Sequence, residues 1–448
     1  MNVTRDTRRL GSMVLAVLVL GVVIGVASGL LAVLLLGIER VAFGYAETDM
    51  IPGPFHVAPW RRVLSVVLGA AVAAVIWWLL RTRSTRVPSV TKAVNGERMP
   101  WWQTTVHVLL QIFIVGTGSS IGREVAPREF GAMIGQYYTR VMHLADVDRR
   151  MIVAVCAGAG LAGVYDAPLA GLFFAVELLL VDVTIEKVAI AFGTSAISAY
   201  IASQIRGSQV FYQLPGLQSH VTPSLMVFAL VIGGLCGVAG AAFRKGSQWA
   251  QSGPRDDARL LWRMPLAALV TGLVATALPQ VMGNGRAAGQ LSFDTSLITG
   301  LLPGLTGLID GRTATAGSSS SMWVLLAVLT LTLGAKVLTT LMTIRSGASG
   351  GVLQPGISLG ATLGAIVGVV WVMVFPADSL SACALIGAAA LLTASQQAPL
   401  MAMCLVMELC AAPIHFVVPV GAAVAVAALV SSRLLRGSAA RLSRSERK

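Results

Sequence analysis

Long stretches without charged residues are the feature that most constrains this chain. Between Ser346 and Ser432 only Asp378 and Glu408 carry a charge, and Leu10–Ile38 carries none. A run of about 20 apolar residues is enough to cross the hydrocarbon core of a bilayer as a helix. Charged residues make up 12% of the 448 residues, whereas soluble domains have about 25%. The chain is therefore predicted to be an integral membrane protein with about ten or more membrane segments.

Several apolar stretches are shorter than a full span or are interrupted by glycine or proline. Examples are Met151–Tyr165 and Ala167–Val176. Short or broken helices at membrane depth are tolerated only inside a bundle or beside a watery cavity, where their backbone groups find partners. We therefore predict an all-α bundle with broken and tilted helices, which is typical of transporters. Its longer loops are Arg81–Pro100, Arg206–Pro223 and Asn284–Ser321.

Basic residues flank the apolar part of the chain, which has a net charge of +13. Arg5, Arg8 and Arg9 precede the first apolar run, and residues 433–448 form a basic tail. Because Lys and Arg accumulate on the cytoplasmic side of a membrane, both termini are expected to be cytoplasmic. We expect a multi-pass protein of the cell (inner) membrane. Nucleic acid is not an expected partner, because no aromatic residues alternate with the charges of the tail.

Two groups of residues recur at nearly one spacing along the chain. Ala-Pro-Leu occurs at 167–169 and again at 398–400, and a glutamate follows each alanine by ten positions, at Glu177 and Glu408. Acidic residues that recur in both copies are interpreted as mainly structural, as caps or buried hydrogen-bonded carboxylates. Three glycines also recur at an offset of 229 residues: Gly122, Gly131 and Gly135 match Gly351, Gly360 and Gly364.

This duplication predicts one membrane domain over residues 1–448, with internal halves of roughly 1–206 and 224–436. Duplicated membrane halves usually place the substrate at their interface near the bilayer midplane. Glycine-rich helix starts there offer backbone N–H groups and the positive end of the helix dipole. The sequence thus predicts an anion site that does not depend on a cationic side chain. No soluble regulatory domain is expected.

Glu124 is the leading functional candidate. It lies in the segment GREVAP, residues 122–127, at a predicted helix start, and the second copy has no acidic residue at the matching place. An ionisable residue inside a membrane is a functional hypothesis by default. Its carboxylate competes with an anion for the same helix N-terminus, and protonation removes that competition, so Glu124 is predicted to be a gate. The alternative is a structural salt bridge with Arg123 or Arg128.

Four segments together resemble the CLC family of chloride channels and proton/chloride exchangers. The GREGP motif of that family corresponds to residues 122–126, its GxFxP motif to 351–355, and its APLAG motif to 167–171, with a second-half counterpart at 398–408. The resemblance extends over essentially the whole chain. It implies two inverted helical halves, a homodimer, and one pathway per subunit for chloride or a similar small anion.

The resemblance also assigns roles to individual residues. Glu124 matches the external gating glutamate, and the backbone amides of Val352 and Leu353 match those that face the anion. Arg123 lies in the gating motif and is counted with the anion-binding residues. Thr85 replaces the anion-coordinating serine of the GSGIP motif and keeps a hydroxyl group.

Departures from the family pattern leave the type of transport open. Exchangers of the family carry an internal proton-transfer glutamate directly after the position of Glu177, where this chain has Leu178. The family also places a tyrosine hydroxyl at the anion from its last helix, and no tyrosine follows Tyr212 here. The proline of GREGP is displaced to Pro127. We therefore expect channel-like or weakly proton-coupled transport, with Glu124 and Glu177 as the proton pathway. A proton/chloride antiporter is the alternative, and chloride, fluoride and nitrate are not distinguished.

An intramembrane serine protease is a remote alternative. Residues 347–350 (GASG) match the GxSG pattern of rhomboid proteases, and His415 lies downstream as a candidate base. The same segment is also the glycine-rich loop before the second anion-binding helix, so an enzyme is not expected. The five histidines are far apart, and the sequence has neither an HExxH pair nor a P-loop. We therefore expect no metal and no cofactor; chloride enters as the substrate.

Overall fold

The structure, a computed structural model, is built from helices. It describes residues 2–48, 51–207, 210–253, 257–301 and 319–445. Residues 302–318 of the expected loop and 446–448 of the expected tail lie outside the described residues. Within the described ranges the regular elements are all helical, and a single β-bridge joins two glycines. The predicted all-α fold is thus confirmed.

The first eight helices precede the middle of the chain: α1 (Asn2–Phe43), α2 (Pro59–Arg83), α3 (Val90–Val94), α4 (Trp101–Gly116), α5 (Val125–Val141), α6 (Asp146–Tyr165), α7 (Pro168–Phe173) and α8 (Ile185–Arg206). A π-helical segment, Phe174–Leu180, continues α7. The later helices are α9 (Pro223–Gln251), α10 (Leu260–Ala277), α11 (Arg286–Phe293), α12 (Ser296–Leu301), α13 (Ser319–Arg345), α14 (Leu353–Val374), α15 (Leu380–Gln396), α16 (Pro399–Leu409) and α17 (Val417–Ser445).

Full-length and short apolar helices occur together. In the described part of the chain, eight helices are long and apolar enough to cross a membrane. The matching segments are Gly11–Phe43, Pro59–Arg83, Ile185–Arg206, Pro223–Gln251, Leu260–Ala277, Met322–Arg345, Leu353–Val374 and Ile414–Arg436. Three apolar segments are shorter: Pro168–Leu180, Leu380–Gln396 and Pro399–Leu409. This mixture agrees with the prediction of broken helices in a membrane bundle.

The helices form two compact units that alternate along the chain. The first unit comprises Met1–Ile38, Ile76–Phe113 and Arg123–Gln209, and the second comprises Glu39–Val75, Ile114–Gly122 and Val210–Lys448. The boundary between Gly122 and Arg123 falls inside the motif that contains Glu124. The two internal halves expected from the repeat stay a prediction.

In the first unit, α5 packs against α6 through glycines. A Cβ atom at Gly131 would overlap the carbonyl oxygen of Cys156, and one at Gly160 would overlap that of Pro127. Only glycine leaves room for backbone on both sides of this contact. Helix α5, which begins at the Glu124 motif, therefore packs against α6 with the two backbones in direct contact.

In the second unit, α14 packs against α15 in the same way. A Cβ atom at Gly360 would lie 2.5 Å from the carbonyl oxygen of Gly387, and one at Gly364 would lie 2.5 Å from that of Cys383. Real Cβ atoms do not approach so closely. Gly131 and Gly360, which the repeat matches, therefore have the same packing role in their own units.

The break before the Ala-Pro-Leu segment also occurs twice. Asp166, the C-cap residue after α6, and Gln397, the C-cap residue after α15, are both left-handed, with φ of 56° and 58°. The alanine that follows has φ −130° in one copy and −140° in the other, and the proline after it starts the next helix. The predicted repeat of residues thus corresponds to a repeat of local structure.

Candidate anion and gating site

Glu124 lies at the N-terminal end of α5 and is completely buried. Tyr165 is the last residue of α6, and its hydroxyl donates a hydrogen bond to Glu124 Oε2 across 3.5 Å. The N-terminus of a helix carries a partial positive charge that stabilises a carboxylate or a bound anion. The carboxylate of Glu124 therefore occupies a place that a small anion would also favour.

Two arginines hold the residues around Glu124. The Arg128 Nε group donates to the backbone carbonyl of Glu124 at 2.8 Å, and its guanidinium lies 4.9 Å from the ring centre of Phe174. The Arg123 guanidinium lies 5.5 Å from the ring centre of Tyr165, within the range of a cation–π interaction. Both arginines thus support the start of α5, and anion binding by Arg123 stays a prediction.

A second buried acid, Glu129, lies five residues further along α5. Gln111 Nε2 donates to Glu129 Oε2 at 2.6 Å, and His107 Nε2 lies 3.6 Å from the same oxygen. Trp77 Nε1 donates to His107 Nδ1 at 3.0 Å. Because Nδ1 accepts, the proton of a neutral His107 is on Nε2, which is the nitrogen nearer to Glu129. No motif selected Glu129 from the sequence.

Glu177 lies in the π-helical segment Phe174–Leu180 and is half-buried. Single π-helical turns inside helices are frequent at functional sites. Its counterpart Glu408 is also half-buried but lies in the regular helix α16. The two glutamates therefore differ in helix type, although the repeat matches them. A role of Glu177 in proton transfer stays a prediction.

Thr85 lies in the loop between α2 and α3 and is exposed. The adjacent Ser84 hydroxyl donates to the carbonyl of Leu80 at 2.6 Å. The short helix α3 is capped by Ser89, whose side chain accepts from the amide of Lys92 at 3.5 Å. The hydroxyl at this helix start thus comes from Ser89, and anion coordination by Thr85 stays a prediction.

In the second unit, Gly122 and Gly351 join two glycine-rich loops. The amide of each residue donates to the carbonyl of the other at 2.8 Å, which forms an antiparallel bridge. A Cβ atom at Gly350 would lie 2.8 Å from the Ile121 side chain and 3.1 Å from the Gly122 carbonyl oxygen. The bridge therefore pairs two residues that the repeat matches, and close packing favours glycine at the adjacent position 350.

Val352 and Leu353 begin α14 directly after this bridge. Val352 is the N-cap residue, and Leu353, the first helical residue, is buried. The helix has 22 residues, so its dipole places partial positive charge at this end. The geometry is that of a helix-end anion site, and occupation by an anion stays a prediction.

A tyrosine hydroxyl lies at the same helix start. The Tyr212 hydroxyl donates to Gln354 Oε1 at 3.1 Å, and the buried Tyr212 ring lies 4.9 Å from the ring of Phe293. The sequence has no later tyrosine, as noted above. A tyrosine hydroxyl therefore does lie beside the first turn of α14, but it comes from Tyr212 and not from the last helix, where the family pattern places it.

Lys336, on α13, is completely buried and contacts the segment Ile114–Gly122 of the second unit. Its Nζ atom donates to Ser120 Oγ at 2.9 Å and to the carbonyls of Val281 and Gly283 at 2.8 and 3.0 Å. A buried ammonium group needs such acceptors, because burial without them is strongly unfavourable. Lys336 was not selected from the sequence, since it lies outside every motif.

Comparison with known proteins identifies the family. The family model described as voltage gated chloride channel matches residues 68–432. This chain belongs to that CLC family. The H⁺/Cl⁻ exchange transporter ClcA of Vibrio parahaemolyticus serotype O3:K6 (strain RIMD 2210633) is 29% identical over 364 residues, which cover 77% of this chain and 72% of the relative. The voltage-gated ClC-type chloride channel ClcB of Salmonella dublin is 26% identical over 368 residues, covering 79% and 80%.

Solved structures have the same fold as this CLC protein. A slow cyanobacterial Cl⁻/H⁺ antiporter superposes with a TM-score of 0.74 at 21% identity, covering 94% of each chain. A CLC-type fluoride/proton antiporter gives a TM-score of 0.63 at 19% identity, covering 94% of this chain and 95% of its own. The resemblance to the CLC family and the predicted CLC-type helical fold are therefore confirmed.

The GASG segment, residues 347–350, on which the protease alternative rests, leads into the bridge and the start of helix α14 in this CLC protein. His415 lies in the short 3₁₀ segment Ile414–Phe416, with its ring 4.8 Å from that of Phe416. The comparisons give the protease alternative no support.

Proposed function

We propose that this CLC protein moves chloride, or a similar small anion, across the membrane and that Glu124 is its gate. The observation that carries the proposal is the buried Glu124 carboxylate at the N-terminus of α5, hydrogen-bonded to Tyr165. The names of the relatives, which are chloride channels and chloride exchangers, support the choice of chloride.

The gate works by competition at a helix end. The ionised Glu124 side chain is held by the dipole of α5, and it occupies the place of the anion. Protonation removes its charge, which weakens that hold and lets an anion replace it. The residues proposed as anion ligands are Thr85, Arg123 and the backbone amides of Val352 and Leu353.

Channel-like or weakly coupled transport is the first form of this proposal. Leu178 follows Glu177, so the position of the internal proton-transfer glutamate is apolar. A proton/chloride antiporter is the second candidate. It is favoured by the pair of half-buried His107 and buried Glu129, which offers titratable groups on the first unit besides Glu124. Neither form calls for a metal or a cofactor.

Chloride efflux from proteoliposomes tests the gate. A single titrating group changes its protonated fraction by up to about tenfold per pH unit, so wild-type efflux should fall as pH rises. Glu124→Gln should make efflux independent of pH, because its amide is neutral throughout. Glu408→Gln, which removes a half-buried acid on α16, is the matched control and should keep the wild-type profile. An unchanged pH profile in Glu124→Gln would show that the gate lies elsewhere.

We further infer that the protein is a homodimer in the cell (inner) membrane with both termini cytoplasmic. The family resemblance supports the dimer, and the basic residues at both ends support the orientation. Single-molecule photobleaching of a labelled chain in bilayers should show two steps per particle. Protease added outside intact cells should spare a tag at either terminus.

A further inference from the structure

A groove of about 560 Å³ lies on the second unit between α9, α10 and α13. All three helices are long and apolar enough to span a membrane. Its walls are mainly aliphatic, and Leu266 and Leu338 are 49% and 50% exposed. No other described part of the second unit covers these two side chains fully. On membrane-spanning helices, such exposed apolar side chains can contact the hydrocarbon chains of lipids.

One end of the groove is basic and aromatic. Trp249 is near the end of α9, Arg263 is near the start of α10, and Arg345 is the last residue of α13, and all three line the groove. The Arg345 Nη1 group donates to the carbonyl of Trp249 at 3.0 Å, and its guanidinium lies 4.7 Å from the Trp249 ring. The Arg263 guanidinium lies 5.6 Å from the ring of Trp262.

The position of these residues corresponds to a membrane boundary. Exposed tryptophans concentrate at the interface between hydrocarbon and water, and basic residues concentrate on its cytoplasmic side. Trp249 and Trp262 are both exposed. From Gly334 to Arg345 the apolar wall of α13 extends over about 16 Å at 1.5 Å per residue. The groove thus combines two guanidinium groups at headgroup level with a long apolar wall.

We propose that this groove binds an anionic phospholipid, with its phosphate at Arg263 and Arg345 and an acyl chain along Leu338 and Leu341. Guanidinium groups match phosphate oxygens in geometry and charge. Basic pockets between membrane helices on the cytoplasmic side bind anionic headgroups. A soluble anion would use the arginines alone, whereas a neutral lipid would use only the apolar wall. This inference does not depend on the proposed anion transport.

Native mass spectrometry of the full chain tests the proposal. Phosphatidylglycerol and phosphatidylcholine with identical acyl chains are titrated separately into the detergent-solubilised protein. We expect phosphatidylglycerol to bind more tightly. Arg263→Gln and Arg345→Gln should each weaken it by about fivefold, the effect of one basic residue near an anionic headgroup. Lys245→Gln removes an exposed base of α9 that does not line the groove, and it should leave binding unchanged.

Gly334→Leu tests the apolar wall separately. Gly334 lines the groove, and a Cβ atom there meets nothing within 4 Å. The substitution should therefore fold normally, shown by unchanged helical circular dichroism, and should lower phosphatidylglycerol binding by filling the groove. Arg263→Lys with Arg345→Lys keeps both charges but loses the guanidinium geometry, so it should retain more binding than Arg263→Gln with Arg345→Gln and less than the wild type. Equal binding of the two lipids would overturn the proposal. Competition by inorganic phosphate, with no effect of Gly334→Leu, would overturn it in favour of a soluble-anion site.

Discussion

Single side chains determine the chemistry at the start of α5. The sequence was sufficient to select Glu124, because an acid next to glycines in an apolar context has few structural reasons to exist. It was not sufficient to select Tyr165, Glu129 or Lys336. Their partners lie between 18 and 216 residues away in sequence, and such pairings depend on tertiary packing that no local pattern encodes.

Tyr165→Phe should raise chloride efflux at a fixed pH. The hydroxyl of Tyr165 donates to the Glu124 carboxylate across 3.5 Å and helps to hold it at the start of α5. Hydrogen bonds to charged groups contribute about 1.5–3 kcal/mol, and because this one is long we expect a rise of about tenfold or less. Tyr200→Phe changes an exposed ring and should leave efflux unchanged. Lower efflux in Tyr165→Phe would contradict this account of Tyr165.

Lys336→Met should lower the stability of the protein. It deprives the buried carbonyl of Val281 and the partly buried carbonyl of Gly283 of a donor, and an unsatisfied buried group costs about 1–3 kcal/mol. The apparent midpoint of thermal unfolding in detergent should fall clearly. Lys92→Met, at an exposed ion pair with Glu97, should change it little, since such pairs contribute about 0–1 kcal/mol. Equal midpoints for the two variants would mean that the Lys336 hydrogen bonds contribute nothing net.

Helices and their breaks were predicted with mixed success. The break before Ala-Pro-Leu could be predicted, because proline at a helix start and its repetition at 231 residues both mark it. The π-helical segment Phe174–Leu180 could not, since its residues are ordinary helix formers and its counterpart in α16 is regular. The role of the repeated glycines became clear only from their opposing carbonyls, which belong to neighbouring helices.

Gly360→Ala should separate α14 from α15. Its methyl group would lie 2.5 Å from the Gly387 carbonyl oxygen, and overpacking of this kind costs about 1–3 kcal/mol. Gly131→Ala should have the same effect between α5 and α6. Gly234→Ala, in α9, is the matched control: nothing lies within 4 Å of its Cβ atom, so it should stabilise its helix by up to about 1 kcal/mol. Thermal unfolding that ranks the three variants otherwise would refute this packing role.

The chain as a whole belongs to a family that the sequence identified through four separated motifs. Its two units could not be predicted, because residues 39–75 and 114–122 join the second unit through long-range contacts. The ions that the protein carries determine how its current depends on voltage. Moving one elementary charge across 100 mV changes its free energy by about 2.3 kcal/mol, so the voltage at which the current is zero shows which ion gradients drive transport.

The reversal potential of the current should therefore follow the chloride gradient alone. Leu178 removes the internal proton-transfer carboxylate, so an imposed pH gradient at fixed chloride should leave the reversal potential unchanged. Planar bilayers with purified protein permit this measurement. A reversal potential that moves with the pH gradient would establish the antiporter instead, and loss of that movement in Glu129→Gln would then trace the proton path to His107 and Glu129.

The backbone bridge between Gly122 and Gly351 limits how far the two copies of the repeat can diverge. Each residue is both the donor and the acceptor for its own counterpart, so the pair depends on backbone groups and on no side chain. Elsewhere one copy of the repeat has what the other lacks, as the acid at Glu124 demonstrates. At this point the two copies remain bonded to each other through two peptide units, and proline at either position would remove one of the two hydrogen bonds.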